Sequence, residues 1–377
     1  MVARKATDEQ IIEALQGRTV AEAAALLGLH ERNVYHHKSR LALKGHIPEM
    51  SIESKLPPFL KIKGTSQLMR RGEPEPLLSW VKTNTDNEKL LEMLQASVEA
   101  MGEDIPRVSL MAPPPLGNAD LLNCFVITDH HLGMLAWHEE TRGDDYDLRK
   151  SEELLVAWFA SAIQQAPHAD TAIFAQLGDL LHWDGLEAVT PTSGHNLDAD
   201  TRFQKLVRVA IRVLRQVIDM LLSKHQRVHV LMAEGNHDMA SSVWLREWFS
   251  VLYENEPRIT VDRSPDPYYC FEFGQTGLYF HHGHRRKPTN VSDVFVAKFR
   301  DVFGRTKHSY AHMGHLHHVD IRENNLMIVE QHRTLAAADA YASRGGWMSG
   351  RDAKVITYSR TYGEVSRLII SAEMVSA

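Results

Sequence analysis

Five short clusters rich in histidine and aspartate recur along the chain, and each closes a segment that reads as a β-strand. In order they are Asp129-His130-His131, Gly178-Asp179-Leu180-Leu181-His182, Gly235-Asn236-His237-Asp238, His281-His282-Gly283-His284 and Gly314-His315-Leu316-His317-His318. One cluster would carry little weight. Five, alternating with helical segments, restrict the chain to an α/β architecture whose strand ends converge, because ligand sites in such folds gather at the carboxyl ends of strands. The donors on offer are carboxylate, imidazole and amide, with no thiolate. That supply suits Mn²⁺, Fe²⁺ or Zn²⁺ and argues against a structural zinc. It is the donor supply of a two-metal hydrolase, in which ions about 3.5–4 Å apart attack a phosphate ester.

Composition removes several other classes. With 377 residues, 44% hydrophobic and 24% charged, the chain is neither fibrous nor largely disordered, and two or three domains are expected. A net charge of −6 argues against nucleic-acid binding by the molecule as a whole and leaves local basic patches open. Cys124 and Cys270 lie in apolar runs and read as buried thiols rather than a disulfide framework. No signal-peptide pattern opens the chain, and no apolar run approaches the roughly 20 residues of a membrane span. A cytoplasmic protein without a membrane partner is expected.

Residues 1–48 read as a separate helical unit. Ile11, Ile12 and Leu15 mark a first helix, and Thr19 with Glu22 forms a capping-box pattern before Val20 to Leu27. Gly28 breaks the pattern, and Glu31 to Leu43 resumes it. The stretch resembles the helix-turn-helix domains of phage and transposon regulators, whose last helix enters the major groove. That helix offers Arg32, Asn33, His36, His37, Lys38 and Arg40. A module for protein contacts or homodimerisation is the plainer alternative. Residues 49–119 suggest a hairpin (Phe59 to Leu68, Leu77 to Val81), a helix over Asn87 to Met101 and a linker at Pro113-Pro114-Pro115, with no evident chemistry.

From 120 to 377, strand and helix alternate. Apolar runs Leu121–Thr128, Thr171–Leu177 and Arg227–Ala233 end at clusters, and Asp200 to Lys224 reads as a long amphipathic helix. Tyr269–Phe273, Gly277–Phe280, Leu326–Glu330 and Ala353–Tyr358 look like a second sheet.

The ordered motifs D-x-H, G-D-x-x-H, G-N-H-D, H-G-H and G-H-x-H resemble those of calcineurin-like metallophosphoesterases over roughly residues 121–320. The resemblance implies a four-layer sandwich, two β-sheets flanked by helices. It implies one ion on Asp129, His131, Asp179 and His317, a second on Asp179, Asn236, His282 and His315, and a bridge through Asp179. It also implies that His237 stabilises the transition state or protonates the leaving oxygen, with Asp238 orienting His237. A lone histidine on a strand is more often a satisfied core residue, and His281 and His318 fit that description. Alternation turns His130 to the far face from its neighbours.

The run Thr128-Asp129-His130-His131-Leu132-Gly133 and the histidine closing Gly178-Asp179-Leu180-Leu181-His182 are similar to the nuclease subunit of SbcCD-type DNA repair complexes. That similarity implies a repair-exonuclease-like enzyme in which His182 approaches the scissile phosphate. Manganese is the expected metal, with iron or zinc as alternatives, and DNA is the expected partner. Arg285, Arg286 and Lys287, then Arg344 and Arg351, are candidate phosphate contacts. Only about sixty residues follow the last motif, which is short for a partner-ATPase segment and favours a stand-alone, phage-type protein. A phosphatase or phosphodiesterase for small nucleotides or phosphoproteins is the alternative enzyme, and a DNA-binding regulator with an inactive phosphoesterase domain is the non-enzymatic one. Thr190 to Arg202 reads as a polar loop that either folds over the site or simply holds a helix N-cap at Asp198 or Asp200.

Overall fold

The computed structural model describes residues 6–43 (save 17), the backbone of strands 60–69 and 76–85, residues 112–114, and 117–375 (save 192–193). The chain divides into two compact units, Met1–Ile105 and Pro106–Ala377. The expected helix over Asn87 to Met101 lies outside the described residues.

In the first unit, helices α1 (Asp8–Leu15), α2 (Val20–Leu27) and α3 (Glu31–Leu43) form where the apolar pattern and the Thr19 capping signal place them. Thr7 and Thr19 each close a capping box, with Gln10 and Glu22 respectively. Gly28 ends α2 at φ 64°, a left-handed turn that suits glycine. Ala14, Ala23, Ala24 and Val34 make the small core. Strands β1 (Leu60–Met69) and β2 (Pro76–Thr85) pair antiparallel.

The second unit is built on β3 (Asn118–Ile127), short α4 (His138–Thr141), α5 (Leu148–Gln165), β4 (Ala169–Gln176), α6 (Phe203–Lys224), β5 (Arg227–Met232), α7 (Met239–Leu252), β6 (Ile259–Val261), β7 (Tyr269–Phe273) and β8 (Thr276–His281). It continues through α8 (Val291–Lys298), α9 (Arg300–Arg305), β9 (His308–Met313), β10 (Asp320–Glu323), β11 (Ile328–Gln331), α10 (Ala340–Gly345), β12 (Asp352–Ser359) and β13 (Gly363–Ser371). One sheet has the order β13-β12-β3-β4-β5-β6 and the other β10-β11-β9-β8-β7. β3 through β6 are parallel in the first sheet, as are β8, β9 and β11 in the second.

The sheets face each other through Cys124, Val126, Ile173, Leu231 and Ile356 on one side and Tyr269, Phe273, Leu278 and Phe280 on the other. Outside the first sheet, Phe159 of α5 stacks on Phe125 and meets Phe174 edge-on. Val291 and Phe295 of α8 cover Tyr279, Ala311 and Val329 of the second sheet. The result is a mixed α/β arrangement of two sheets flanked by helices.

One expectation fails. Ala353–Tyr358 belongs to the first sheet, where β12 pairs antiparallel with β3 and then turns back as β13. All eight β12 residues are buried, so alternation gave no sign of which sheet they join. The partner is set by hydrogen bonding across space, which a local apolar pattern does not encode.

A buried ion cluster crosses between the sheets. Glu330 of β11 meets Lys354 Nζ of β12 at 2.6 Å and Arg367 of β13 at 2.8 Å, and Tyr358 Oη lies 2.9 Å from His312 Nε2. Burial pushes the Glu330 carboxyl up, but His332, Lys354 and Arg367 outweigh it and hold it down at about 2. Glu330 lies in a His/Glu triad with His312 and His332, but two cationic side chains already satisfy its charge, which disfavours a metal there. Glu330→Gln would leave Lys354 buried without its counter-charge. It is expected to lower the unfolding free energy by about 3–5 kcal/mol in urea titration; a loss below about 1 kcal/mol would show that the pair is not a support between the sheets.

Candidate metal centre

Parallel β3, β4 and β5 in one sheet and parallel β8 and β9 in the other deliver the five clusters to one place. Four of the five strand ends turn through left-handed backbone. φ is positive not only at Gly178 and Gly283 but also at Asp129 (51°), His131 (48°), Asp179 (53°), His315 (78°) and His317 (56°). Among the described residues, Arg142 is the remaining non-glycine of this kind. Such backbone costs a side-chain-bearing residue about 1–3 kcal/mol and collects at functional sites. Two glycines let the loops close up: a Cβ on Gly235 would sit 1.9 Å from Asp179 Oδ1, and one on Gly314 would sit 1.8 Å from Thr128 Oγ1.

The seven residues expected from the motifs come together. Donor atoms of Asp129, His131 and His317 lie within 4.8 Å of one another, as do those of Asp179, His282 and His315. Asn236 Oδ1 stands 3.2 Å from His282 Nε2. Each carboxylate commits one oxygen to the protein and turns the other inward. Asp129 Oδ2 accepts from Thr128 Oγ1 and from the His315 amide, while Oδ1 faces His317 Nε2 at 3.1 Å. Asp179 Oδ1 accepts from the His237 amide, and Oδ2 lies 3.0 Å from His282 Nε2. His282 Nδ1–H donates to the Leu177 carbonyl at 2.9 Å, which leaves Nε2 as its coordinating atom.

Electrostatics agree with a cation site. Burial opposes the charge on Asp129 and Asp179, yet the imidazoles of His317 and His282 hold Asp129, and that of His282 holds Asp179, below the ordinary carboxylate range. In return, against the pull of burial, Asp179 and Asp129 raise His282 to about 9. His131, which is buried and crowded by His237, His182 and His317, is driven well below its ordinary value. Without cations the carboxylates keep protons on their neighbours; with cations those protons must leave. The donor set therefore fits divalent metal.

His237 and His182 stack at 5.6 Å, and His182 Nδ1 lies 3.3 Å from His131 Nδ1. His237 Nδ1–H donates to the His182 carbonyl at 2.8 Å. The bond expected from Asp238 to His237 is not formed. Asp238 instead accepts from the amides of Asp179, Leu180, Leu181 and Gly235. Its burial, together with the charges of Asp179 and Asp184, pushes its carboxyl up to about 8. Its place beside the histidine in sequence did not reveal that the short side chain folds back onto two loops. Sequence reading also missed Asp184, which takes the Ala240 and Ser241 amides at the start of α7, and Thr334, whose hydroxyl holds the Asp129 carbonyl. A carboxylate two residues beyond His182 was the available signal.

Other candidates fall away from the centre. His130 is buried and donates Nε2–H to the Ser151 carbonyl, and His281 stacks on Tyr268. Exposed His318 bonds its own turn at the Leu316 carbonyl. Arg344 and Arg351 pair with Glu140 and Asp144. Arg40 pairs with Asp8 within the helical unit. Residues 198–200 lie along the 133–135 loop through a bridge of Met134 with Ala199 and through backbone bonds of Leu135 with Asp198 and Asp200 with Gly133. Asp200 takes the Leu148 amide at the start of α5, and the N-cap of α6 is Arg202.

No family model matches the sequence, and no curated protein matches it. Among solved structures, an archaeal phosphodiesterase is similar at 13% identity over 66% of this chain and 99% of that one, with a TM-score of 0.32. A conserved protein of Streptococcus pneumoniae, titled a predicted phosphoesterase, matches at 12% identity over 67% and 98%, with a TM-score of 0.26. Wild-type Vps29 of Entamoeba histolytica complexed with zinc matches at 11% over 66% and 99%, with a TM-score of 0.27.

Gly235→Ala is expected to push Asp179 out of place and to lower bound metal per chain, read by elemental analysis after dialysis against Mn²⁺; full loading would show that the loop has room. Metal affinity is expected to rise with pH to about 9, because the raised His282 must give up its proton to coordinate. Calorimetry in two buffers of different ionisation enthalpy reads that proton release, and equal heats in both would contradict it.

Proposed function

We propose that the chain is a phosphodiesterase that uses two divalent metal ions, manganese first among them, and that its substrate is nucleic acid. The observation that carries this is the pair of adjoining donor groups around Asp179, with His237 beside them. One ion would rest on Asp129, His131, Asp179 and His317, and the other on Asp179, Asn236, His282 and His315. Bound there, the ions supply the charge that activates water and neutralises the phosphoryl oxygens.

The remaining groups position and protonate. With Nδ1–H tied to the His182 carbonyl, His237 keeps Nε2 for the substrate, where it hydrogen-bonds a phosphoryl oxygen or gives a proton to the leaving oxygen. Burial and nearby His237 hold His182 neutral, down at about 3. It braces His237 and can donate one hydrogen bond to the phosphate. Asp238 acts as a positioning residue that locks the two loops bearing Asp179 and Asn236.

Two features support nucleic acid rather than a small ester. Arg285 and Arg286 are exposed just beyond His282, and α3 exposes Arg32, Asn33 and His36 in the helix after the Gly28 turn, with Lys38 half-buried. Arg40, tied to Asp8, serves the helical unit itself.

Asp179→Asn is expected to lose both ions, and retention of two per chain would rule out its central place. His237→Ala is expected to keep metal and lower turnover of bis-p-nitrophenyl phosphate and DNA by about 10²-fold or more; near-normal turnover would remove His237 from the chemistry. Deleting residues 1–48 should spare the small diester and weaken DNA binding, and unchanged DNA affinity would assign that unit to protein contacts.

A further inference from the structure

Several large aromatic and apolar side chains are left in water on segments that adjoin the candidate centre. Trp137, Tyr341 and Trp347 are 54%, 73% and 60% exposed, and Leu316 is exposed as well. Two of their segments adjoin the Asp129, His131 and His317 group, and the third, α10, is tied to one of them. Trp137 ends the loop that leaves His131, and Leu316 stands between His315 and His317. Tyr341 and Trp347 flank the body of α10, whose N-cap Asp339 bears electrostatically on His317. His131 and His317, where two of these segments start, have Nε2 atoms 3.4 Å apart.

The segments are fastened together rather than loose. Ser343 Oγ donates to the Thr141 carbonyl at 3.3 Å, and Arg344 pairs with Glu140, so α10 is tied to α4. The rings of Tyr341 and Trp347 lie 5.2 Å apart. The other half of the centre has a different character: His282 leads into exposed Arg285, Arg286 and Lys287. Basic side chains follow the loop of one donor group, and exposed aromatic side chains follow the loop that leaves the other and the helix tied to it.

The adjoining Tyr341 and Trp347 rings, with Trp137 one turn along α4 from the Thr141 that bonds α10, leave exposed aromatic surface of the kind that marks a contact site. Its continuity with the ligand loops argues that the occupant is the substrate itself. Every nucleobase has a face that stacks on such rings whatever the sequence, while a phosphate chain follows basic side chains. A paired base in duplex spends both faces on its neighbours; an unpaired one does not.

We propose that Trp137, Tyr341 and Trp347 form a shelf on α4 and α10 that stacks the unpaired bases of a single-stranded nucleic acid whose phosphate lies at the metal centre. This rests on the phosphodiesterase reading and adds its substrate class.

The test uses the full chain and separates the two. Hydrolysis of bis-p-nitrophenyl phosphate with Mn²⁺ by the wild type reads the phosphodiesterase activity alone. Binding is read by fluorescence anisotropy without added metal, so that no turnover is needed. The probes are labelled oligothymidylate and an oligomer of equal length carrying abasic sites throughout. Thymidylate is expected to bind roughly ten-fold or more tightly than the abasic strand. Tyr341→Ala and Trp347→Ala should erase most of that difference, and Trp347→Phe should keep it, with circular dichroism confirming the fold of each. Equal binding of the two strands overturns the shelf even if the small diester is cleaved. So does a base preference that survives both alanine variants, or a Trp347→Ala protein whose only change is dissociation of a dimer in sedimentation. Base-dependent binding lost in the alanine variants upholds the shelf even if the small diester is untouched, and in that case the phosphodiesterase reading fails alone.

Discussion

Burying two carboxylates side by side is the constraint to which the rest of the second unit answers. Asp129 and Asp179 are almost wholly removed from water, and an unpaired charge in that setting is costly. Every nearby element contributes to the answer. Backbone amides of His237 and His315 take the outer oxygens, and imidazoles from two other strand ends, His282 and His317, face the inner ones. The parallel strands matter because only they bring so many chain reversals to a single edge.

A second level of support holds the loops that hold the ligands. Asp238 gathers four amides from two loops, Asp184 closes the start of α7, and Thr334 reaches the Asp129 carbonyl. These residues touch no expected substrate. They decide whether donors from different strands arrive within coordinating distance, which is why positioning of this kind counts as much as donor identity.

Much of this was legible in the residues. The helices of the first unit follow from the apolar face of Ile11, Ile12 and Leu15 and from Thr19 and Gly28, whose capping and turn chemistry is local. The side chains that converge on the candidate centre are those the motif order singles out, because glycine, aspartate and histidine at strand ends have few other uses. What could not be read was non-local. β12 carries the same apolar signal in either sheet, and its place beside β3 depends on pairing across more than two hundred residues. Asp238 sits next to His237 in sequence and bonds elsewhere because a carboxylate takes the nearest cluster of amides, not the nearest neighbour in the chain. Arg40, Arg344 and Arg351 looked available because a sequence does not show the aspartate or glutamate that meets each one.

The left-handed backbone at Asp129, His131, Asp179, His315 and His317 sets this protein's reserve of stability against its chemistry. All five positions would be more relaxed as glycine, and the protein keeps side chains there against that preference. A lineage released from the need for metal would therefore gain folding stability by surrendering these residues first. The centre should disappear early, while the sandwich that carries it persists.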